Sequence, residues 1–133
     1  MKKFIVIMTA LLMFSFASQA QTLTWSGYGN TLDTVTNAGS RSATAVTVSA
    51  PAKAFSMQVA VTKISGTVGG TVKWQGSNNG TDWYTISTDT MTDASAVYAY
   101  SIATAAPFNY YRALVTGTGT MSASVKGKAF VRQ

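Results

Sequence analysis

The C-terminal stretch of this sequence alternates with a period of two. Met121, Ala123, Val125, Gly127, Ala129 and Val131 fall on one side of an extended chain. Ser122, Ser124, Lys126 and Lys128 fall on the other, with Phe130 as the exception. Successive side chains of a strand point to opposite faces, so the pattern makes one dry face and one wet face, as in an antiparallel sheet. The same period recurs upstream. Phe55, Met57, Val59 and Val61 alternate with smaller or polar residues, as do Val46 and Val48, Val72 and Trp74, and Tyr98, Tyr100 and Ile102. Tyr111, Ala113 and Val115 alternate with Arg112, Leu114 and Thr116, which predicts a strand covered on both faces. Leu23 to Trp25 and Trp83 to Ser87 add two shorter strands.

Turn residues punctuate these runs at Gly27-Tyr28-Gly29-Asn30, Asn37-Ala38-Gly39, Gly69-Gly70, Gly76 to Gly80 and Gly117-Thr118-Gly119. Pro51 and Pro107 each precede a strand, where a missing N–H does little harm. No segment after residue 20 carries a helical stripe. The expected fold is all-β: a single antiparallel β-sandwich, jelly-roll-like, of about eight strands. A small barrel is the alternative.

The N-terminus predicts an address. Lys2 and Lys3 precede an almost unbroken apolar run from Phe4 to Phe16, and Ala17-Ser18-Gln19-Ala20 places small residues where a signal peptidase reads them. Residues 1–20 therefore read as a secretory signal peptide, with an uncleaved anchor as the alternative. Residues 21–133 read as one domain, secreted or held at the cell surface, with no membrane span after leader removal.

Absences limit the chemistry. The formal net charge is +6, of which Lys2 and Lys3 supply two, leaving +4 on the expected mature chain. The only acids are Asp33, Asp82, Asp89 and Asp93, and there is no Glu, His or Cys. Without Cys, a disulfide framework and thiolate chemistry are excluded. Without His, a Ser-His-Asp triad is excluded, together with the commonest neutral-pH base and imidazole metal ligand. A glycosidase pair would need two of the four aspartates. The chain is read as not an enzyme, with no cofactor and no metal. Lys126, Lys128 and Arg132 share one strand face, but the remaining basic residues are scattered. The expected role of that face is a solvated, charged surface that protects a sheet edge, rather than a phosphate-binding stripe, so no nucleic acid partner is assigned.

Residues 71–86 read Thr-Val-Lys-Trp-Gln-Gly-Ser-Asn-Asn-Gly-Thr-Asp-Trp-Tyr-Thr-Ile. Val72 and Trp74 are expected to face the core, with positive φ at Asn79-Gly80 turning the chain and Trp83 re-entering as an apolar lid. This Gly-Ser-Asn-Asn-Gly-Thr-Asp-Trp hairpin resembles one found in discoidin-like, galactose-binding-like β-sandwiches. It also resembles one in small β-sandwiches that phages encode as tail, fibre or capsid-surface components. In the phage set a strand similar to Tyr110 to Val115 follows, then a Gly/Thr turn and a final amphipathic strand. The resemblance covers residues 55–131 and implies a β-sandwich. Discoidin domains are longer and often carry a disulfide, which this chain lacks, and phage structural proteins rarely carry an export signal. In such families Gly76, Ser77, Asn79, Gly80 and Trp83 shape the turn.

Five residues are candidate ligand or partner contacts: Asn78, Asp82, Trp83, Tyr84 and Phe130. Trp83 and Tyr84, with Trp25, Tyr98, Tyr100, Tyr110 and Tyr111, form either an aromatic surface for sugars or part of the core. Asp82 beside Asn78 and Asn79 supplies a single carboxylate, too little for a Ca²⁺ loop. Asn79-Gly80-Thr81 matches a glycosylation sequon. Phe130 breaks a wet face and is a candidate contact point. The function these features predict is a non-enzymatic exported structural or assembly protein. It would be a homo-oligomer, or attached to a cell-surface or virion scaffold. The alternative is a carbohydrate- or surface-binding module of discoidin-like type with a glycan partner. The leader is checked by the intact mass of the exported protein. The expected start is Gln21, free or as pyroglutamate, and a species retaining residues 1–20 would refute cleavage.

Overall fold

A computed structural model describes residues 20–23, 33–42, 46–47, 54–103 and 106–132. Most of the expected leader, Trp25 and Val48 lie outside the described residues. The regular elements are strands: β1 (Ala20–Leu23), β2 (Asp33–Thr36), β3 (Ser40–Ser42), β4 (Val46–Thr47) and β5 (Ala54–Ser65). They continue as β6 (Gly70–Ser77), β7 (Tyr84–Met91), β8 (Ala96–Ile102), β9 (Tyr110–Gly117) and β10 (Ser122–Arg132). Among the described residues no helix is long and apolar enough to cross a membrane.

The strands form two antiparallel sheets. In the first, β10 and β5 are central, β8 flanks β5, and β1 and β2 flank β10. Leu23 pairs with Ala129 and Asp33 with Val125, so β1 and β2 lie one after the other along the same side of β10. The second sheet repeats the plan, with β3 and β4 in succession along β9, then β6, then β7. With each split pair taken as one position, the strand order is that of an eight-position jelly roll. The expected β-sandwich is found.

One expectation is corrected. The last strand is not an edge, because β5 pairs along its whole length and β1 and β2 take its other side. These short segments lack a sequence signal strong enough to name their partner. The charged face of β10 therefore protects no edge of its own. Its inward face is as expected: Met121, Ala123, Val125 and Ala129 are buried. Ser124, expected to be wet, is buried because Thr34 and Thr62 flank it from both sides. The strand β9, expected to be covered on both faces, is interior, and Arg112, Leu114 and Thr116 on its outer face are half-buried.

Val35, Phe55, Met57, Val59, Val61, Val72, Trp74, Tyr111 and Val115 join the buried β10 residues between the sheets. Tyr111 stacks on Phe55 at 4.5 Å, and its hydroxyl accepts the Phe108 N–H at 3.0 Å. Burial pushes its phenol pKa up. Tyr98, Tyr100 and Ile102 pack their inner sides on the same core. Trp74 is fully buried, and its indole N–H donates to Asp89 Oδ2 on β7 at 2.7 Å.

Two further aspartates tie the sheets and loops. Asp33 Oδ1 on β2 accepts from Arg41 Nε on β3 at 3.1 Å, joining the first sheet to the second. Asp93 Oδ1 accepts from Lys63 Nζ and from the Val68 N–H, each at 2.7 Å, and these bonds hold its carboxyl below the ordinary value.

A buried donor that loses its acceptor costs about 1–3 kcal/mol. Asp89→Ala strands the Trp74 indole and should lower unfolding stability by that amount in urea titrations. Asp89→Asn keeps a carbonyl acceptor and should recover most of the loss.

Candidate functional site

The connection from β6 to β7 spans residues 78–83 and is longer than the expected tight turn. Ser77, buried at the end of β6, organises it. Its Oγ accepts from the Gly80 N–H at 2.9 Å and the Asn79 N–H at 3.3 Å, and its hydroxyl donates to Asn79 Oδ1 at 3.0 Å. Asn79 Oδ1 also accepts from the N–H groups of Thr81 and Asp82 at 3.0 and 2.9 Å. The Asn79 amide donates to Asp82 Oδ2 at 2.7 Å. Short polar side chains that bond the backbone a few residues on are a standard way to build such loops.

Gly80 has a φ of 77°, whereas Asn79 does not share the positive φ expected of it. Asn79 instead holds the loop with its side chain. A Cβ on Gly80 would meet the Tyr110 ring only at 3.9 Å, so backbone strain rather than a clash selects glycine there.

Four of the five candidate contacts gather on this hairpin. Asn78 accepts from Asn109 Nδ2 through its carbonyl at 3.4 Å, and the Asp82 carboxylate is engaged by Asn79. Tyr84 is 67% exposed and stacks on Phe108 at 6.3 Å. Phe108 in turn rests over Gly76, where a Cβ would meet its ring at 2.3 Å. Trp83 is not the core lid expected of it. Its ring lies under the Arg112 guanidinium at 4.1 Å, on the outer face of the second sheet. A guanidinium so placed gains cation–π attraction and stacking.

Arg112 was not among the expected contacts. Its Nε donates to Gln75 Oε1 at 2.7 Å, and Gln75 Nε2 donates to Thr85 Oγ1 at 3.1 Å. Burial pushes the guanidinium pKa below its ordinary value. The available signal was its place in alternation on a strand next to Tyr110-Tyr111. The distance in sequence between Arg112 and Trp83 hides the pairing.

Phe130 lies on the other sheet. It is 36% exposed on the outer face of β10, where Lys126 and Lys128 are also exposed. Two adjoining depressions of about 220 and 200 Å³ run over this face and share Gln58 and Lys128. The sequence-predicted residues thus mark two separate surfaces. Of the aromatic residues considered for a sugar-binding surface, Tyr111 is buried, Tyr98 and Tyr100 turn inward, and Trp25 lies outside the described residues.

No protein-family model and no curated protein matches this chain. Solved structures do. The exported protein XepA of PBSX overlays 85% of this chain with a TM-score of 0.57 and 15% identity. The overlay covers 36% of XepA, so this chain spans little more than a third of that protein's length. A protein from the disulfide-linked pili of Bacillus endospore appendages overlays 86% of this chain and 90% of its own, with a TM-score of 0.47 and 9% identity. The XepA likeness is one of fold, and the pilus overlay is too distant to carry an argument.

Strain at Gly80 has a measurable consequence. Gly80→Val should destabilise the domain by about 1–3 kcal/mol, because a β-branched residue resists positive φ. Gly80→Asn should lose much less, since Asn tolerates that region. Equal thermal midpoints for the two variants would remove the backbone argument.

Proposed function

We propose that this chain is a non-enzymatic structural domain that works outside the cytoplasm and associates with copies of itself. Export is supported by the leader pattern and is consistent with the description of XepA as an exported protein. A structural role is supported by the state of the carboxylates. Asp33, Asp82, Asp89 and Asp93 each hold a partner within the fold, and the sequence offers no His, Cys or Glu beside them.

The observation that carries self-association is the edge of the first sheet. Among the described residues the strand β8, Ala-Val-Tyr-Ala-Tyr-Ser-Ile, pairs only with β5, which leaves the other side of its backbone open to a further strand. It carries no charge and no proline, and Val97 is 66% exposed. Natural edges are blunted by shortness, lysine, proline, bulges or inward charges. The opposite edges here are short: β1 and β2 have four residues each, β3 three and β4 two. The strand β7 has a register shift against β6 and the inward Asp89. The strand β8 has none of these devices. Antiparallel pairing of β8 with β8 of a second copy would extend the sheet across a two-fold axis.

In that arrangement Ala99, at the middle of β8, faces Ala99 of the second copy. Like charges directly opposite each other oppose pairing. Light scattering after size-exclusion chromatography should show a dimer for the unaltered protein. It should show a monomer for both Ala99→Lys and Ala99→Glu, whatever the sign of the charge. A monomer at every concentration without substitution, or dimers that survive both substitutions, would overturn the reading.

A further inference from the structure

The outer face of the first sheet carries a second surface, which meets the β8 edge at Val97. Lys126, Lys128 and Phe130 occupy alternate positions of β10 and point to the same side. Across from them on β5 stand Ala60, Gln58 and Ser56. Val97 follows beside Ala60 on β8. The two depressions therefore form one elongated groove. Lys126, Val97 and Ala60 border one end, Phe130 and Ser56 the other, and Gln58 and Lys128 are common to both.

Among the described residues the charge in this groove has no counterpart. The two lysines sit two residues apart on one strand face, with Cα atoms about 7 Å apart. The ion pairs among the described residues are Arg41 with Asp33 and Lys63 with Asp93. The remaining acidic side chains, Asp82 and Asp89, are bonded to Asn79 and Trp74. All four side-chain carboxylates of the whole sequence are thus accounted for elsewhere. A second copy of this chain would bring the same lysines and no spare carboxylate side chain. Face-to-face self-association would therefore set ammonium against ammonium.

We infer that this groove binds an acidic polysaccharide, a glycan chain bearing carboxylate groups. The two ammonium groups take carboxylates of the chain. The Gln58 amide and Ser56 hydroxyl offer donors and acceptors to sugar hydroxyls, and the exposed Phe130 ring covers the apolar C–H face of a sugar. The two depressions run one after the other along the strand face, which suits a polymer rather than a free monosaccharide. A single-stranded nucleic acid fits less well. Its binders line up several stacking rings along a basic track, and among the side chains that line this groove there are one ring and two ammonium groups.

The test is affinity electrophoresis of the full chain in native gels containing polygalacturonate, neutral dextran, poly-L-glutamate or oligothymidylate. Polygalacturonate should retard the protein, and dextran should not. Lys126→Gln with Lys128→Gln should weaken retardation at least tenfold, and Phe130→Ala several-fold. Lys73→Gln, on the outer face of the other sheet, should leave it unchanged. Unaltered thermal midpoints would separate these effects from misfolding. Equal retardation of the double lysine variant and the Lys73 variant would overturn the site. Retardation as strong by poly-L-glutamate or oligothymidylate would overturn the glycan as its ligand.

Discussion

The two-sided pairing of β10 is the constraint on which the rest of the fold depends. Its 11 residues pair with β5 along one side, and on the other β1 pairs with Ala129 to Arg132 and β2 with Ser122 to Val125. Side chains alternate strictly along a strand, so a slip of one residue would turn Lys126 and Lys128 into the core and Val125 and Ala129 out of it. The cost of burying two unpaired ammonium groups pins the register. The register in turn sets Phe130 and both lysines beside Gln58 and Ser56, and it keeps β8 at the far side of β5. The core, the basic groove and the open edge are three consequences of one alignment.

Scarcity of charge shapes the remainder. With four carboxylates in the whole chain, each has a structural task. Asp89 satisfies the buried Trp74 indole, Asp33 links the two sheets through Arg41, Asp93 gathers Lys63 and Val68, and Asp82 closes the hairpin loop through Asn79. Among the described residues the basic side chains outnumber them, and the excess lies on the outer faces. On the second sheet Arg112 is settled by Trp83 and Gln75. On the first sheet Lys126 and Lys128 have no such neighbours among the described residues, and so the two outer faces differ in kind. One is closed by its own side chains, and the other presents its charge to the proposed glycan.

The two proposed interfaces use different physics and adjoin at Val97. The edge of β8 offers backbone hydrogen bonds to a strand and needs no charge complementarity. The outer face of β10 and β5 belongs to interior strands joined to each other along the whole length of β10, so recognition there falls to side chains. A sandwich with one open edge and one charged face can join copies of itself through the first and hold a polymer against the second.

Much of the architecture could be read from residues alone. Period-two alternation identified the strands that became β5, β6, β8, β9 and β10, and it assigned most of their inward faces correctly, because alternation reports burial directly. The absence of His, Cys and Glu excluded whole classes of chemistry without reference to any fold. Partners could not be read. Segments as short as Asp33–Thr36 or Ser40–Ser42 carry too few apolar positions to announce a strand, and nothing in them says that they will cover β10 and β9. Asn79-Gly80 announced a turn, but the loop closes through Ser77 and the Asn79 side chain, a choice made by bonds that exist only once the strands are paired. Trp83 and Arg112 are far apart in sequence and meet only because β6 brings β7 and β9 to either side of it. The sequence by itself determined which residues would avoid water and which catalytic side chains the chain lacks, since both are matters of side-chain chemistry. Tertiary structure alone decided which strand lies at an edge and which charges lack a partner, since both depend on neighbours that long-range pairing supplies.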